Sequence, residues 1–320
     1  MSEESDKPES TEEEKAPEAE PAAEEPPPDP DLPPALGDAG PKWLPLAVAV
    51  VLPALFFFVL PPLTRAGLWD PHELNVADLA RRIALNLHGA TNLALEGADN
   101  SLPHLNDLGR PQLAFSSIAL GFKFFGLHEW AGRVPLALWG LVAVVVTYGW
   151  VTRLVDRRAG LFSAVALTTM PLVFVQARTM LGDITTIASF TMAFGGLAVA
   201  VFGKHEDDPK DANVRTAWLA IGVLGVVCGI TSRGLLVGAG VPAFGVGAAW
   251  AISRVNGRTS DLFATAVGGC ALVVGLGASA LAFYVLALDK TSPTLLALMA
   301  SDASADIKIV GAAIHNPGKY

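Results

Sequence analysis

Residues 44–63 read LPLAVAVVLPALFFFVLPPL, a run of 20 residues without a charged side chain. A helix rises about 1.5 Å per residue, so this run is long enough to cross the hydrocarbon core of a bilayer. Pro45 and Pro53 are compatible with a membrane helix, which they can kink. The stretch therefore predicts a first transmembrane span.

Further apolar runs lie downstream, at about 134–152, 160–177, 184–203, 216–231, 235–252 and 262–288. Of the 320 residues 52% are hydrophobic and 17% are charged, whereas soluble domains have about 25% charged residues. These proportions exclude a soluble enzyme and a nucleic-acid-binding module. They predict an all-α integral membrane protein with about seven transmembrane helices. Cys228 and Cys270 lie within apolar runs, which excludes a disulfide framework.

The first 40 residues have a different composition, with 14 acidic residues, two lysines and nine prolines. They show no apolar periodicity, which is typical of a disordered segment. The segment is also too acidic and too long for the n-region of a signal peptide, so we expect the first span to be retained. The chain is thus divided into a disordered cytoplasmic tail, 1–43, and a transmembrane domain, 44–320.

The apolar run 112–127 decides the orientation of every later span. It has about 16 residues and contains Lys123, which favours a helix that lies at the membrane interface. If the run does not cross, the basic loops 153–158 and 253–261 face the cytoplasm, as the positive-inside rule expects. The first outer loop then covers about 64–133, and 289–320 begins another outer loop.

Polar residues directly after the first span lie on the outer face in this topology. Asp70, His72 and Glu73 follow Trp69, which suits the interface. A carboxylate or an imidazole just above the bilayer can act as a general base toward an acceptor hydroxyl or amine. Asp before Pro-x-Glu is also good helix-start chemistry, so a capping role is the alternative.

Cationic residues fall on the same face. Arg178 and Asp183 lie where two spans meet, and Arg233 lies between the next two. The planar guanidinium binds phosphate oxygens in a bidentate way, so these arginines suit the phosphate of a lipid-linked substrate. Charges at span ends can instead be merely solvated. Arg110 and His315 also fall on this face, but alone they indicate only a helix start and a turn.

A metal site receives no support from the residue spacing. His72, Glu73 and His104 could be imagined around zinc, but they do not show the spacing of metal ligands. No cofactor is required, and a divalent metal stays possible but unsupported. Small-residue spacing elsewhere predicts close helix packing at Gly222, Gly225, Gly229, Gly234, Gly238 and Gly240.

Taken in order, these motifs resemble those of integral-membrane glycosyltransferases with a GT-C fold, in particular the bacterial aminoarabinose transferase and protein O-mannosyltransferase group. The matching elements are Trp69-Asp-Pro-His-Glu73, Ala77-Asp-Leu-Ala-Arg81, Arg110-Pro-Gln-Leu113, Phe125-Gly-Leu-His-Glu129 with Arg133, Arg157–Gly160, Ala177-Arg178 through Asp183, Ser232-Arg-Gly234 and His315 to Pro317. Order and spacing carry the resemblance, which runs from about 44 to 320.

The resemblance implies inverting transfer of a sugar from a polyprenyl-phosphate donor to a lipid or protein acceptor. The reaction would take place at the outer, periplasmic face of the bacterial cytoplasmic membrane, whose lipids are further partners. It would assign the base to Asp70, His72 or Glu73, donor-phosphate binding to Arg178, Arg233 and Arg110, and supporting roles to Asp183 and His315.

Departures from the group leave alternatives open. His72 stands where the group has its proposed Asp base, and Arg233 stands where the group has lysine. A relative that binds the lipid without catalysis is therefore one alternative, and a transporter-like membrane protein is another. The chain ends at Tyr320, before the further spans of the group, so we expect a fragment or a shortened member.

Overall fold

Helices account for nearly all regular structure in the part of the chain that the structure describes. The computed structural model describes residues 43–59, 72–103, 113–180, 183–203, 209–256 and 261–288, all within one compact unit, Gly40–Tyr320. The tail that is predicted to be disordered, together with Asp70, Arg110, His104 and His315, lies outside the described residues.

Ten α-helices are present in these described ranges. They are α1 (Leu44–Ala54), α2 (His72–Leu87), α3 (Leu113–Phe125), α4 (Glu129–Leu154), α5 (Arg157–Thr169), α6 (Pro171–Arg178), α7 (Ile184–Phe202), α8 (Pro209–Arg233), α9 (Val241–Val255) and α10 (Leu262–Leu288). Two π-helical turns are also present: Leu55–Val59 extends α1, and Leu236–Gly240 precedes α9. A 3₁₀ turn, Thr91–Leu93, follows α2.

Five helical segments are long and apolar enough to cross a membrane. They are Glu129–Leu154, Ile184–Phe202, Asn213–Arg233, Leu236–Val255 and Leu262–Ala282. The predicted span 160–177 is not one straight helix, because α5 and α6 are bent by 62° at Met170. Pro171 explains the break, since its ring disfavours helical geometry at the preceding residue, and Met170 is extended with ψ 120°.

Two shorter apolar helices bear on the predicted count of seven spans. Helix α3 has 13 residues and is about 20 Å long, short of the hydrocarbon core of about 30 Å. This length agrees with the expectation that the run 112–127 does not cross. The first predicted span is described only over Leu44–Val59, so the count of seven stays a prediction.

The helices run alternately between two ends of the bundle. We call one end of the bundle the site end. It contains Glu73, Arg133, Arg178, Ile184 and Arg233. The opposite end, called the far end, contains the last turn of α7, the first turns of α8 and α10, and the contact between Arg215 and Asp261. Most of the sequence motifs that fall in the described residues lie at the site end.

Glycines allow the central helices α7 and α8 to approach closely. A side chain at Gly222 would meet the backbone of Leu197, and one at Gly225 would meet that of Ala193. A side chain at Gly229 would likewise collide with Gly238 in the turn before α9. The predicted packing role of these glycines is therefore confirmed, and it fixes the relative position of the two helix ends that carry the candidate site.

Candidate functional site

Helix α2 is amphipathic and packs its apolar face against α3 and the rest of the bundle. Ala77, Ala80, Ile83 and Ala84 are buried on this face, at the spacing of an α-helix. Glu73, in its first turn, is also fully buried. A carboxylate in such a place requires partners, because an unpaired buried charge is strongly unfavourable.

The partners of Glu73 come from two distant parts of the chain. Arg133 Nη2 donates to Glu73 Oε2 at 2.8 Å, and both side chains are at most 1% exposed. The backbone N–H of Met180 donates to Glu73 Oε1 at 2.6 Å. One carboxylate therefore joins the start of α2 to α4 and to the α6–α7 junction.

Of the three candidates for the base, Glu73 is the one whose side chain the structure describes. Its oxygens accept hydrogen bonds from Arg133 and from the N–H of Met180 inside the protein, contacts that position α2, and its predicted part as the base is untested by them. His72 begins α2 in the chain trace, but its side chain lies outside the described part, as does all of Asp70. The base assigned to Asp70 or His72 therefore stays a prediction.

Arg178, the last residue of α6, is 7% exposed and lies in a packed interface. Its Nη1 donates to the carbonyl oxygen of Phe56 at 2.7 Å, and its guanidinium lies 5.1 Å from the ring centroid of Phe174. These contacts join α6 to the π-helical turn after α1. They assign Arg178 a structural part, and its predicted part in phosphate binding is untested by them.

Arg233 and Asp183, which the sequence predicts to share a face, are neighbours. Arg233 Nη1 lies 3.7 Å from Asp183 Oδ1, and the side chains are 29% and 42% exposed. Arg233 is the last residue of α8, and Asp183 is the N-cap of α7. Gly234 follows with φ +87°, a left-handed conformation that suits glycine and ends the helix beside Arg233.

Three hydroxyl groups fix these two helix ends together. The Ser232 hydroxyl lies 2.9 Å from that of Thr185 and 2.9 Å from that of Thr186. Sequence reasoning missed this cluster, although Thr185 and Thr186 closely follow Asp183 and Ser232 directly precedes Arg233. The cluster joins the end of α8, next to the partly exposed Arg233, to the start of α7.

A cleft of about 250 Å³ opens between α2 and the α3–α4 turn. Its walls are Leu74, Ala77, Asp78, Arg81, Leu95, Phe122, Leu127, His128, Glu129 and Met180. Met180 lies three residues before Asp183, so the cleft adjoins the α6–α7 junction. Apolar walls with carboxylates and an imidazole at the rim suit a group that is partly polar and partly apolar.

The 3₁₀ segment and loop after α2 are fixed by Arg81. Its guanidinium donates to Asp78 and Asn100 side chains and to the carbonyl oxygens of Leu93 and Asp99, at distances between 2.7 and 3.0 Å. Hydrogen bonds from the backbone and hydroxyl of Ser101 lower the pKa of Asp99. Arg81 is thus committed to protein acceptors and gives the cleft its shape.

The predicted metal alternative gains no support within the described ranges. No group of three His, Cys, Asp or Glu side chains there could coordinate an ion. Of the three imagined zinc ligands, only the side chain of Glu73 is described, and it is bound to Arg133 and Met180.

Comparisons with known proteins agree with this architecture. The crystal structure of ArnT from Cupriavidus metallidurans in the apo state has a similar fold, with a TM-score of 0.51 and 22% sequence identity. The match covers 78% of this chain and 42% of ArnT, so this chain spans less than half the length of that protein. A search of curated proteins gives no match. The likeness confirms the predicted all-α, GT-C-like membrane fold.

A family model covers the central part of the chain. The model of dolichyl-phosphate-mannose-protein mannosyltransferase matches residues 110–275, just over half of the chain. The matched region contains α3 to α9, and with them Arg133, Arg178, Asp183 and Arg233. The chain therefore belongs to the dolichyl-phosphate-mannose-protein mannosyltransferase family.

Proposed function

We propose that this protein transfers a sugar from a polyprenyl-phosphate donor to a lipid or protein acceptor at the outer face of a bacterial cytoplasmic membrane. The observation that carries the proposal is the position of Arg233. Its guanidinium is partly exposed at the end of α8, beside the start of α7 and at the same end as the start of α2. Membership of the family supports the reaction class.

The chemistry assigns a charge-neutralising part to Arg233. In the transfer, the bond between the anomeric carbon and the phosphate oxygen breaks, and its electron pair stays on that oxygen. The acceptor oxygen forms the new bond to the anomeric carbon, and its proton passes to the base, proposed as Asp70 or His72. A guanidinium near the departing oxygen stabilises the charge that develops there.

The start of α7 adds to this environment. The first N–H groups of a helix carry partial positive charge, which favours an anion nearby. Asp183 and Ile184 begin this helix, and the Ser232–Thr185–Thr186 cluster places it against the end of α8. The phosphate would therefore meet a guanidinium and a helix N-terminus together.

Glu73 acts indirectly in this proposal. Its contacts with Arg133 and the N–H of Met180 fix the start of α2, two residues after Asp70 in the sequence, relative to the α6–α7 junction. The adjoining cleft would receive the sugar or part of the acceptor, since its rim carries Asp78 and Glu129. The candidate site residues Glu73, Asp183 and Arg233 lie at an end of the bundle, which favours an enzyme over a transporter with its site at mid-membrane.

Turnover of the purified full-length protein in lipid nanodiscs tests the proposal. With a labelled polyprenyl-phosphate sugar, Arg233→Ala should lower turnover about 100-fold or more, as expected for loss of charge stabilisation. Arg233→Lys should retain part of the activity. Arg254→Ala is the matched control, because Arg254 also lies in the last turn of a span but at the far end. Unchanged turnover in Arg233→Ala would contradict the assignment.

A further inference from the structure

Asp183 occupies the N-cap position of α7 but does not cap it. Its side chain makes no capping hydrogen bond to the first turn of the helix. By contrast, Asp156, the N-cap of α5, accepts a hydrogen bond from the N–H of Ala159 at 2.6 Å. The carboxylate of Asp183 instead lies beside Arg233, with Asp183 Oδ1 3.7 Å from Arg233 Nη1.

The pair of Asp183 and Arg233 is looser than two other ion pairs of the same protein, one of them fully buried. Its nitrogen–oxygen distance is 3.7 Å, against 2.8 Å for Glu73 and Arg133 and 2.7 Å for Arg215 and Asp261. Both of its side chains are also more exposed than those of the Glu73–Arg133 pair. An incoming anion can therefore reach Arg233 without entering the packed core.

An anion at Arg233 also lies close to Asp183, whose Oδ1 is 3.7 Å from Arg233 Nη1. The hydroxyl contacts of Ser232 with Thr185 and Thr186 fix the end of α8 against the start of α7. Because Asp183 directly precedes α7 and Arg233 ends α8, the two residues lie at the same helix junction. Any phosphate at Arg233 therefore experiences the attraction of the guanidinium and the repulsion of the carboxylate together.

We propose that Asp183 is a specificity residue that disfavours the product at the phosphate site, an inference that rests on the proposed function. The donor is a phosphodiester and carries one negative charge. The product is a phosphate monoester, which carries between 1.5 and 2 negative charges at about pH 7. Repulsion from Asp183 is larger for the product, so the residue promotes release of the spent lipid and limits its competition with the donor.

Binding to the full-length protein in nanodiscs measures this preference directly. The probes are a polyprenyl phosphate and its methyl phosphodiester, which differ in charge but not in lipid chain. Asp183→Asn preserves shape and removes the charge, so it should tighten binding of the monoester about tenfold and of the diester about threefold at low ionic strength. Equal tightening of both probes, or no tightening, would overturn the proposal.

Two further variants separate charge from structure. Asp183→Glu retains the charge and should retain the preference of the wild type. Asp156→Asn, the matched control at an exposed N-cap of the far end, should change neither affinity. A loss of preference in Asp183→Glu, or the same shift in Asp156→Asn, would show that the effect does not come from the carboxylate at this site.

Steady-state inhibition gives a second readout. In Asp183→Asn the inhibition constant of added polyprenyl phosphate should fall about tenfold relative to the wild type. The Arg233→Ala variant separates the two proposals. If it binds both probes as the wild type does, the proposed phosphate site is wrong. Suppose instead that Arg233→Ala binds neither probe, and that Asp183→Asn has the wild-type ratio of affinities for the monoester and the diester. Only the part assigned to Asp183 is then wrong.

Discussion

The two ends of the helix bundle use the same chemical groups differently. At the far end, Arg215 is 6% exposed. It donates to Asp261 Oδ2 at 2.7 Å and twice to the carbonyl oxygen of Ala200, at 2.9 and 3.1 Å. Its guanidinium also lies 4.8 Å from the ring centroid of Phe263. The far-end arginine thus joins the end of α7 to the start of α10.

The site end contains a comparable buried pair and, beside it, a looser one. Glu73 and Arg133 join helices much as Arg215 and Asp261 do. Arg233 and Asp183 are further apart and more exposed than Glu73 and Arg133. A charge at a span end that is enclosed by protein acceptors therefore has a structural part. A charge at the rim of the bundle is a candidate for ligand binding.

The largest expected effect on stability comes from removing one member of the buried pair. Arg133→Ala leaves the Glu73 carboxylate enclosed without its cation, which should cost about 3–5 kcal/mol of unfolding free energy. Thermal unfolding in detergent measures the loss. The double variant Arg133→Leu with Glu73→Gln should recover part of it, and a double variant no more stable than Arg133→Ala would show that the charges do not dominate.

The second-largest effect on stability is expected when the pH is lowered and the carboxylate of Asp261, the partner of Arg215, becomes protonated. Burial tends to raise the pKa of Asp261. Hydrogen bonds from Arg215 and from the N–H groups of Phe263 and Ala264, together with the charge of Arg215, outweigh burial and hold this pKa below its ordinary value. A lowered folded-state pKa contributes stability above the unfolded-state value, and this contribution is lost as the pH falls through the folded-state pKa.

The measurement compares melting temperatures of the wild type and Asp261→Asn from pH 7 to pH 3. The wild type should lose stability below about pH 4, and this loss should be smaller in Asp261→Asn, which is already less stable at pH 7. Parallel curves for the two proteins would show that Asp261 does not contribute to the acid sensitivity of the far end.

The smallest effect is expected at the hydroxyl cluster. Ser232→Ala removes the partner of Thr185 and Thr186 and should destabilise the protein by about 1 kcal/mol. It should also weaken binding of a polyprenyl phosphate modestly, because the ends of α7 and α8 are then less closely fixed. Thr231→Ala is the control, since the Thr231 hydroxyl donates within α8, to the carbonyl oxygens of Val227 and Cys228. Equal affinities of the two variants for polyprenyl phosphate would show that the hydroxyl cluster does not support the phosphate site.

Much of the fold follows from the sequence, because apolar runs of about 20 residues have few alternatives in a membrane. The same runs and the charge of the loops placed Asp183 and Arg233 on one face, and the structure brings them together. The sequence does not predict the break at Met170, since the run 160–177 continues through Pro171 without a charged residue. Proline alone does not decide between a kink and a break.

The partners of Glu73 were beyond sequence reasoning for a different reason. Arg133 lies 60 residues away and Met180 lies 107 residues away along the chain. Neither periodicity nor spacing specifies which of several charges near the interface will be buried together. Only the packing of α2 shows that Glu73, one of the three candidates for the base, is enclosed by Arg133 and Met180.

The proposed function requires that a lipid phosphate binds at the site end. Native mass spectrometry of the full-length protein, purified gently from its own membranes, tests this. We expect a bound polyprenyl-phosphate sugar in the wild type and in Arg254→Ala, and its absence in Arg233→Ala. A wild-type protein that carries no such lipid and takes up no added polyprenyl phosphate would contradict the central claim.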